Sequence, residues 1–220
     1  MLFRDRVEAG QRLAEKLKAY TNNPDVLVLG LPRGGVPVAF EVARALHAPL
    51  DILVVRKLGV PGYEELAMGA VASGGLCVLN PSVMDGFKIP RSMAETIARQ
   101  ELEEVKRRER AYRDMRPEPK IEGRTVILVD DGLATGSTMQ AAVRVLRQQK
   151  PARLVVAVPV GAEETCAQFR DEVDEIICAA TPDPFRAVGL WYKNFNQTSD
   201  EEVRNLLQQA WQQETTVANR

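Results

Sequence analysis

The chain has 220 residues, 45% of them hydrophobic, with 29 lysines and arginines set against 30 aspartates and glutamates. That apolar share is enough for one substantial core, and the near-zero charge points to neither nucleic acid nor a membrane surface as a partner. Arg4, Asp5, Arg6 and Glu8 interrupt the stretch where a secretory signal needs apolar residues. No run approaches the ~18 apolar residues of a membrane span, so the expected compartment is the cytoplasm.

A first helix is expected over about Phe3 to Tyr20, with Leu13 and Leu17 spaced to share one face. Val26 to Leu31 then opens a series of short, almost uninterrupted apolar runs, continued by Asp51 to Arg56, Thr125 to Asp130, Arg153 to Pro159 and Glu175 to Ala180. Continuous Val, Ile and Leu suit strands buried on both faces of a parallel sheet. Helical patterns at Val36 to Leu46, Ser137 to Gln149 and Ala162 to Asp171 fall between them. The alternation predicts a doubly wound α/β fold: a mainly parallel five-stranded sheet with helices on both faces.

The connection between the second and third runs is long, and it predicts a hairpin of Leu66 to Ala72, the turn Ser73-Gly74-Gly75, and Leu76 to Leu79. Ser92 and Glu95 form a capping-box pattern ahead of a helix to about Arg113, whose mixed charges read as a solvated face. An aromatic cluster of Phe185, Trp191, Tyr192 and Phe195 follows, and Ser199 with Glu202 then caps a last helix reaching about Gln212. Neither a repeat nor a low-complexity linker divides the chain, so residues 1–220 read as a single domain with a core at about 21–180. Cys77, Cys166 and Cys178 are odd in number, lack Cys-x-x-Cys spacing and sit among apolar residues, which predicts reduced core thiols. His47, the sole histidine, lies at a helix end away from every strand C-terminus and reads as structural. Asn196-Gln197-Thr198 matches a glycosylation acceptor by chance, given no secretion signal.

Chemistry concentrates in Val126-Ile127-Leu128-Val129-Asp130-Asp131-Gly132-Leu133-Ala134-Thr135-Gly136-Ser137-Thr138. In an open α/β sheet, ligands bind outside the carboxyl ends of the strands, where Asp130 and Asp131 fall. Two adjacent acids there can accept hydrogen bonds from vicinal hydroxyls such as those of a ribose. Gly132 and Gly136 let the backbone turn and approach a ligand, and the helix start beyond them offers unpaired N–H groups to a phosphate. Thr135, Ser137 and Thr138 add hydroxyls, and no lysine follows Gly136 as a Walker A loop requires.

This segment matches the phosphoribosyl pyrophosphate motif, and the chain resembles type I phosphoribosyltransferases of the purine and pyrimidine salvage kind. The resemblance implies that Asp130 and Asp131 hold the ribose hydroxyls and that Gly132 and Ala134 to Thr138 hold the 5-phosphate. It also implies that Arg33-Gly34-Gly35, after the first strand, is the pyrophosphate loop, and that Arg56 and Lys57, at the second strand's end, neutralise the leaving group. Leu58 to Ala72 corresponds to the lid such enzymes close over the site, with Tyr63, Glu64 and Glu65 as contact candidates, and 181–220 to the hood, where Trp191 and Tyr192 face the acceptor. Magnesium is the implied cofactor, reached by Asp130 and Asp131 through water or substrate oxygens. The implied partners are phosphoribosyl pyrophosphate and a base or amine, with homo-oligomerisation left open. A second reading is a sensor that binds the pyrophosphorylated sugar without turning it over.

Overall fold

The computed structural model describes residues 3–114 and 116–218, without the side chains of Glu65 and 214–218. Glu65, as a contact residue, therefore falls outside the described side chains. Five parallel strands form the central sheet: β1 (Val26–Gly30), β2 (Leu50–Ile52), β6 (Thr125–Val129), β7 (Arg153–Val160) and β8 (Glu175–Ala180), in spatial order β2-β1-β6-β7-β8. Alternate residues feed two cores. Val28, Ile127 and Val155 point to one, and Leu29, Leu128 and Val156 to the other, so both faces are apolar and the runs are continuous.

Helices α1 (Arg6–Lys16), α2 (Gly35–Leu46) and α7 (Asp200–Ala218) contribute to the first core, while α5 (Ser137–Gln148) and residues of α6 (Glu163–Gln168) contribute to the second. A second, antiparallel sheet of β3 (Val55–Val60), β4 (Tyr63–Ala72) and β5 (Leu76–Leu79) leads through α3 (Pro81–Gly86) into α4 (Arg91–Arg113). Along β4, Val71 faces the first core and Ala70 and Ala72 the second. The expected hairpin is thus present, and its first strand extends back to Tyr63.

Three expectations are corrected. The run Asp51 to Arg56 is two strands: β2 ends at Ile52 and the chain leaves for the second sheet at Val55, so Arg56 and Lys57 lie on β3 rather than at the edge of the parallel sheet. The Ser92–Glu95 capping box does not form, because the helix begins two residues earlier, with Pro90 at its N-cap and Arg91 paired to Glu95. Nor are the cysteines three buried thiols. Cys166 on α6 and Cys178 on β8 both reach the space beside Gly161 and form a disulfide, and Cys77 is exposed on β5, the edge strand of the second sheet. The other cap forms as expected: the Ser199 hydroxyl accepts the Glu202 N–H at 3.0 Å. α1 is shorter than expected, starting at Arg6 with Asp5 as N-cap and ending before Leu17, its C-cap; Leu13 and Leu17 are both buried. Among the described residues, no helix is long and apolar enough to cross a membrane.

Candidate active site

From β1 the chain turns one way, to β2; from β6 it turns the other, through β7 to β8. The crevice between the ends of β1 and β6 is therefore the topological switch point, where open α/β sheets bind ligands. The Arg33-Gly34-Gly35 loop follows β1, and Asp130-Asp131 follows β6. Gly30 and Val129 are register partners, so the two loops start side by side.

Their contact explains the glycine pair. A Cβ on Gly35 would stand 2.8 Å from the Val129 carbonyl oxygen and 3.0 Å from Asp130 Oδ1, and one on Gly34 would overlap Asp131 Oδ2. The glycines let one loop lie directly on the acids of the other.

Each acid has one oxygen engaged. Asp130 Oδ1 accepts the Asp131 N–H at 2.8 Å. Asp131 Oδ2 accepts Arg6 Nε at 2.9 Å and lies 2.8 Å from Arg6 Nη2. Burial, and then the neighbouring Asp131 charge, raises the Asp130 carboxyl well above the ordinary range. Burial also raises Asp131, against which the Arg6 guanidinium acts. The Arg6 fork continues to the Asn196 carbonyl through Nη1 at 2.7 Å, and its plane lies 4.0 Å over the Phe195 ring. Tyr192 donates its hydroxyl to the Asp131 carbonyl at 2.5 Å.

The loop after the acids is braced from beneath. Leu133 adds to the end of β7, with its N–H donating to Val160 at 2.9 Å, and Thr165 donates its hydroxyl to the Ala134 carbonyl at 2.7 Å. Gly132 presses on Val188, and Gly136 takes the left-handed conformation, φ 73°, with Phe169 and Thr165 behind it. Among the described residues, no side chain caps the N-terminus of α5. Thr135 and Ser137 place their hydroxyls 3.3 Å apart at its entrance, and Thr138 is exposed in its first turn. An uncapped first turn leaves N–H donors and a partial positive charge for an anion.

The remaining expected residues are distributed as follows. Arg33 is half-buried, its Nη1 3.8 Å from Asp200 on α7. Arg56 donates to Glu101 of α4 at 2.5 Å, which raises its already high pKa. Trp191 stacks on Phe185, ring centroids 6.5 Å apart, and Tyr192 is buried between Phe3 and Phe195. His47 stands in the C-cap of α2 with its Nδ1 2.8 Å from Asn22 Oδ1, away from the crevice. Arg6 had no sequence signal: it lies 125 positions from its partner Asp131, and its Arg-Asp-Arg setting spoke only against a signal peptide.

The model of the phosphoribosyl transferase domain matches residues 4–181. A protein of Mycobacterium tuberculosis (strain CDC 1551 / Oshkosh), provisionally named phosphoribosyl transferase MT0597, is 48% identical over 209 residues, which is 95% of this chain and 47% of that protein. The chain thus spans about half the length of this relative. A ribose-phosphate pyrophosphokinase of Methanopyrus kandleri is 30% identical over 179 residues, 71% of this chain and 62% of that one. The crystal structure of TT1426 from Thermus thermophilus superposes with a TM-score of 0.87 at 43% identity, covering 95% of this chain and 99% of that one. In fold and in sequence, the chain belongs to the phosphoribosyl transferase domain family, of type I architecture.

Proposed function

We propose that this chain binds 5-phosphoribosyl 1-pyrophosphate with magnesium and transfers its ribose 5-phosphate to a nitrogenous base or amine, releasing pyrophosphate. The observation that carries the reading is the joining of Asp130 and Asp131, each with one carboxylate oxygen engaged, to an uncapped, hydroxyl-rich helix entrance at the switch point. Asp130 Oδ2 and Asp131 Oδ1, which no other described residue engages, suit the two ribose hydroxyls. Gly132 and Ala134 to Thr138 suit the 5-phosphate, whose oxygens the α5 amides and the three hydroxyls would meet. Arg33, with Gly34 and Gly35, suits the pyrophosphate end and would exchange its distant Asp200 partner for phosphate oxygens.

No group of three or more His, Cys, Asp or Glu among the described residues is arranged to hold a metal. Two adjacent carboxylates, one tied to an arginine, instead fit an ion carried mainly by water and substrate oxygens, as magnesium prefers. Asp130 and Asp131 would hold it indirectly, and when bound it supplies charge neutralisation at the departing pyrophosphate. In the reaction, the bond from C1 to the pyrophosphate oxygen breaks with its electron pair leaving on that oxygen. The acceptor nitrogen then bonds to C1 from the opposite face and loses its proton. The protein contributes positioning and electrostatic field. Residues 181–196, with Trp191 against Phe185, are the segment proposed to meet the acceptor. Arg56 and Lys57, at the start of β3, are proposed to serve the leaving group, Arg56 exchanging its Glu101 partner for phosphate oxygens.

Calorimetric titration with phosphoribosyl pyrophosphate and magnesium tests the reading, followed by a pyrophosphate-release screen over purines, pyrimidines and simple amines. Binding with release for one acceptor is the expected result. Binding without release across all acceptors would favour the sensor. No binding by the wild type would overturn the assignment of Asp130 to Thr138. Asp131→Asn should lose sugar binding while its thermal unfolding midpoint stays within a few degrees of the wild type.

A further inference from the structure

Arg6 is the group on which the acid pair depends, and neither the family match nor the motif assigns it a role. It lies near the N-terminal end of α1, yet its side chain crosses to the switch point, where it is 12% exposed against 16% for Asp131. Two of its nitrogens meet Asp131 Oδ2, at 2.9 and 2.8 Å, and the third, Nη1, meets the Asn196 carbonyl at 2.7 Å. The ring of Phe195 covers its plane at 4.0 Å. A guanidinium held on three sides has little rotamer freedom left, so the carboxylate it grips is fixed as well.

We infer that Arg6 is a positioning residue for the sugar site: by engaging Asp131 Oδ2 it fixes the carboxylate so that Oδ1 serves the ribose hydroxyl. The inference rests on the reading of the site given above. Without Arg6, the Asp131 side chain is free to rotate, and two neighbouring acids in a shielded crevice repel each other with no cation between them and α1. The consequence is confined to ligands that carry the sugar. The phosphate loop, built on Gly132 to Thr138, is braced instead by Val160 and Thr165.

This separates a positioning role from a merely structural one. Arg6→Met should weaken phosphoribosyl pyrophosphate at least about tenfold by calorimetry, the scale of a lost charge-assisted hydrogen bond. Its affinity for inorganic phosphate alone should stay within about twofold of the wild type, because that probe needs only the loop. Arg6→Lys, which keeps the charge but not the planar fork, should fall between the two. Arg6→Gln provides the same comparison should the methionine variant not fold. Unchanged affinity for the pyrophosphorylated sugar in a folded Arg6→Met or Arg6→Gln protein overturns the inference and leaves the functional reading standing. Equal weakening of sugar and phosphate also overturns it, since that marks collapse of the whole crevice. A wild type that binds inorganic phosphate but not the pyrophosphorylated sugar overturns the functional reading itself, and this inference with it.

Discussion

At Gly34 there is no room for even a methyl group, since a Cβ there would overlap the Asp131 carboxylate oxygen that Arg6 holds. Gly34→Ala is therefore expected to displace the carboxylate or the loop, lowering sugar affinity about tenfold or more by the same measure as removal of a charge-assisted bond. Its unfolding midpoint should fall by only a few degrees, because the change lies at the crevice and not in either core. Calorimetry and thermal melts on one preparation check both parts; intact sugar binding would show that the loop yields without moving Asp131. At this scale, the sequence was informative wherever neighbours in space are neighbours in the chain. Asp130 to Thr138 could be read because strand end, acids, turn and helix start are contiguous. Arg6 could not, because its position is set by α1 packing on α2 and by a carbonyl 190 positions away. Tyr192 is a mixed case: its aromatic cluster was visible, but its hydroxyl bond to the Asp131 backbone was not.

Besides the Arg56–Glu101 bond, two ties near its C-terminal end fix α4, and neither was visible as a pattern. Arg113, 5% exposed, donates to Asp51 Oδ1, Glu109 Oε1 and the Ile52 carbonyl, each at 2.8 Å, so the end of the helix is bolted to β2. Burial raises Asp51 despite this partner, so desolvation outweighs the pairing. Tyr112 donates to Asp200 at the start of α7 at 2.6 Å. Burial first, and then the bond to Asp200, pushes its hydroxyl up from 10.0 to about 12. Between those two values the unfolded chain loses the Tyr112 proton while the folded chain keeps it. Folding there binds the extra proton, and stability must fall as pH rises from 10 to 12. Tyr112→Phe keeps the ring but removes both effects. Wild type should exceed this variant in stability by about 1.5 kcal/mol below pH 10, and that advantage should vanish within the window and reverse toward pH 12. Urea denaturation across that range measures it, and a gap that stays constant would exclude the linkage. The alternation of apolar runs and helical patterns did reveal the sheet, and β8 matches its expected bounds. The second run misled because Leu53 and Val54 stay buried while the backbone changes sheets; apolar continuity reports burial, not which sheet the strand joins.

Across the whole molecule, the crevice lies where the strand order reverses, and both loops owe their places to β1 and β6 pairing in register. The acids are thus set by the most regular part of the fold, whereas Arg6, which grips one of them, is held by segments 190 positions apart. Phe3 donates to the Trp191 carbonyl at 2.8 Å, and Lys193 and Asn194 donate back to Phe3 and Arg4 at 2.8 and 2.9 Å. This short ribbon brings Arg6 and Phe195 together. Its consequence concerns the order in which the protein is made. Contacts of such sequence separation carry the largest loop-closure entropy and form late. A chain growing from its N-terminus completes β8 at Ala180 before Asn196 exists to receive Arg6. In refolding followed by pulsed hydrogen exchange, the amides of β6 and β7 should gain protection before those of Phe3, Lys193 and Asn194. A partly made or freshly collapsed chain would then own its sheet and both carboxylates but not the fixed Asp131 on which the proposed sugar site relies, until residues 3–6 and 191–196 are stitched together.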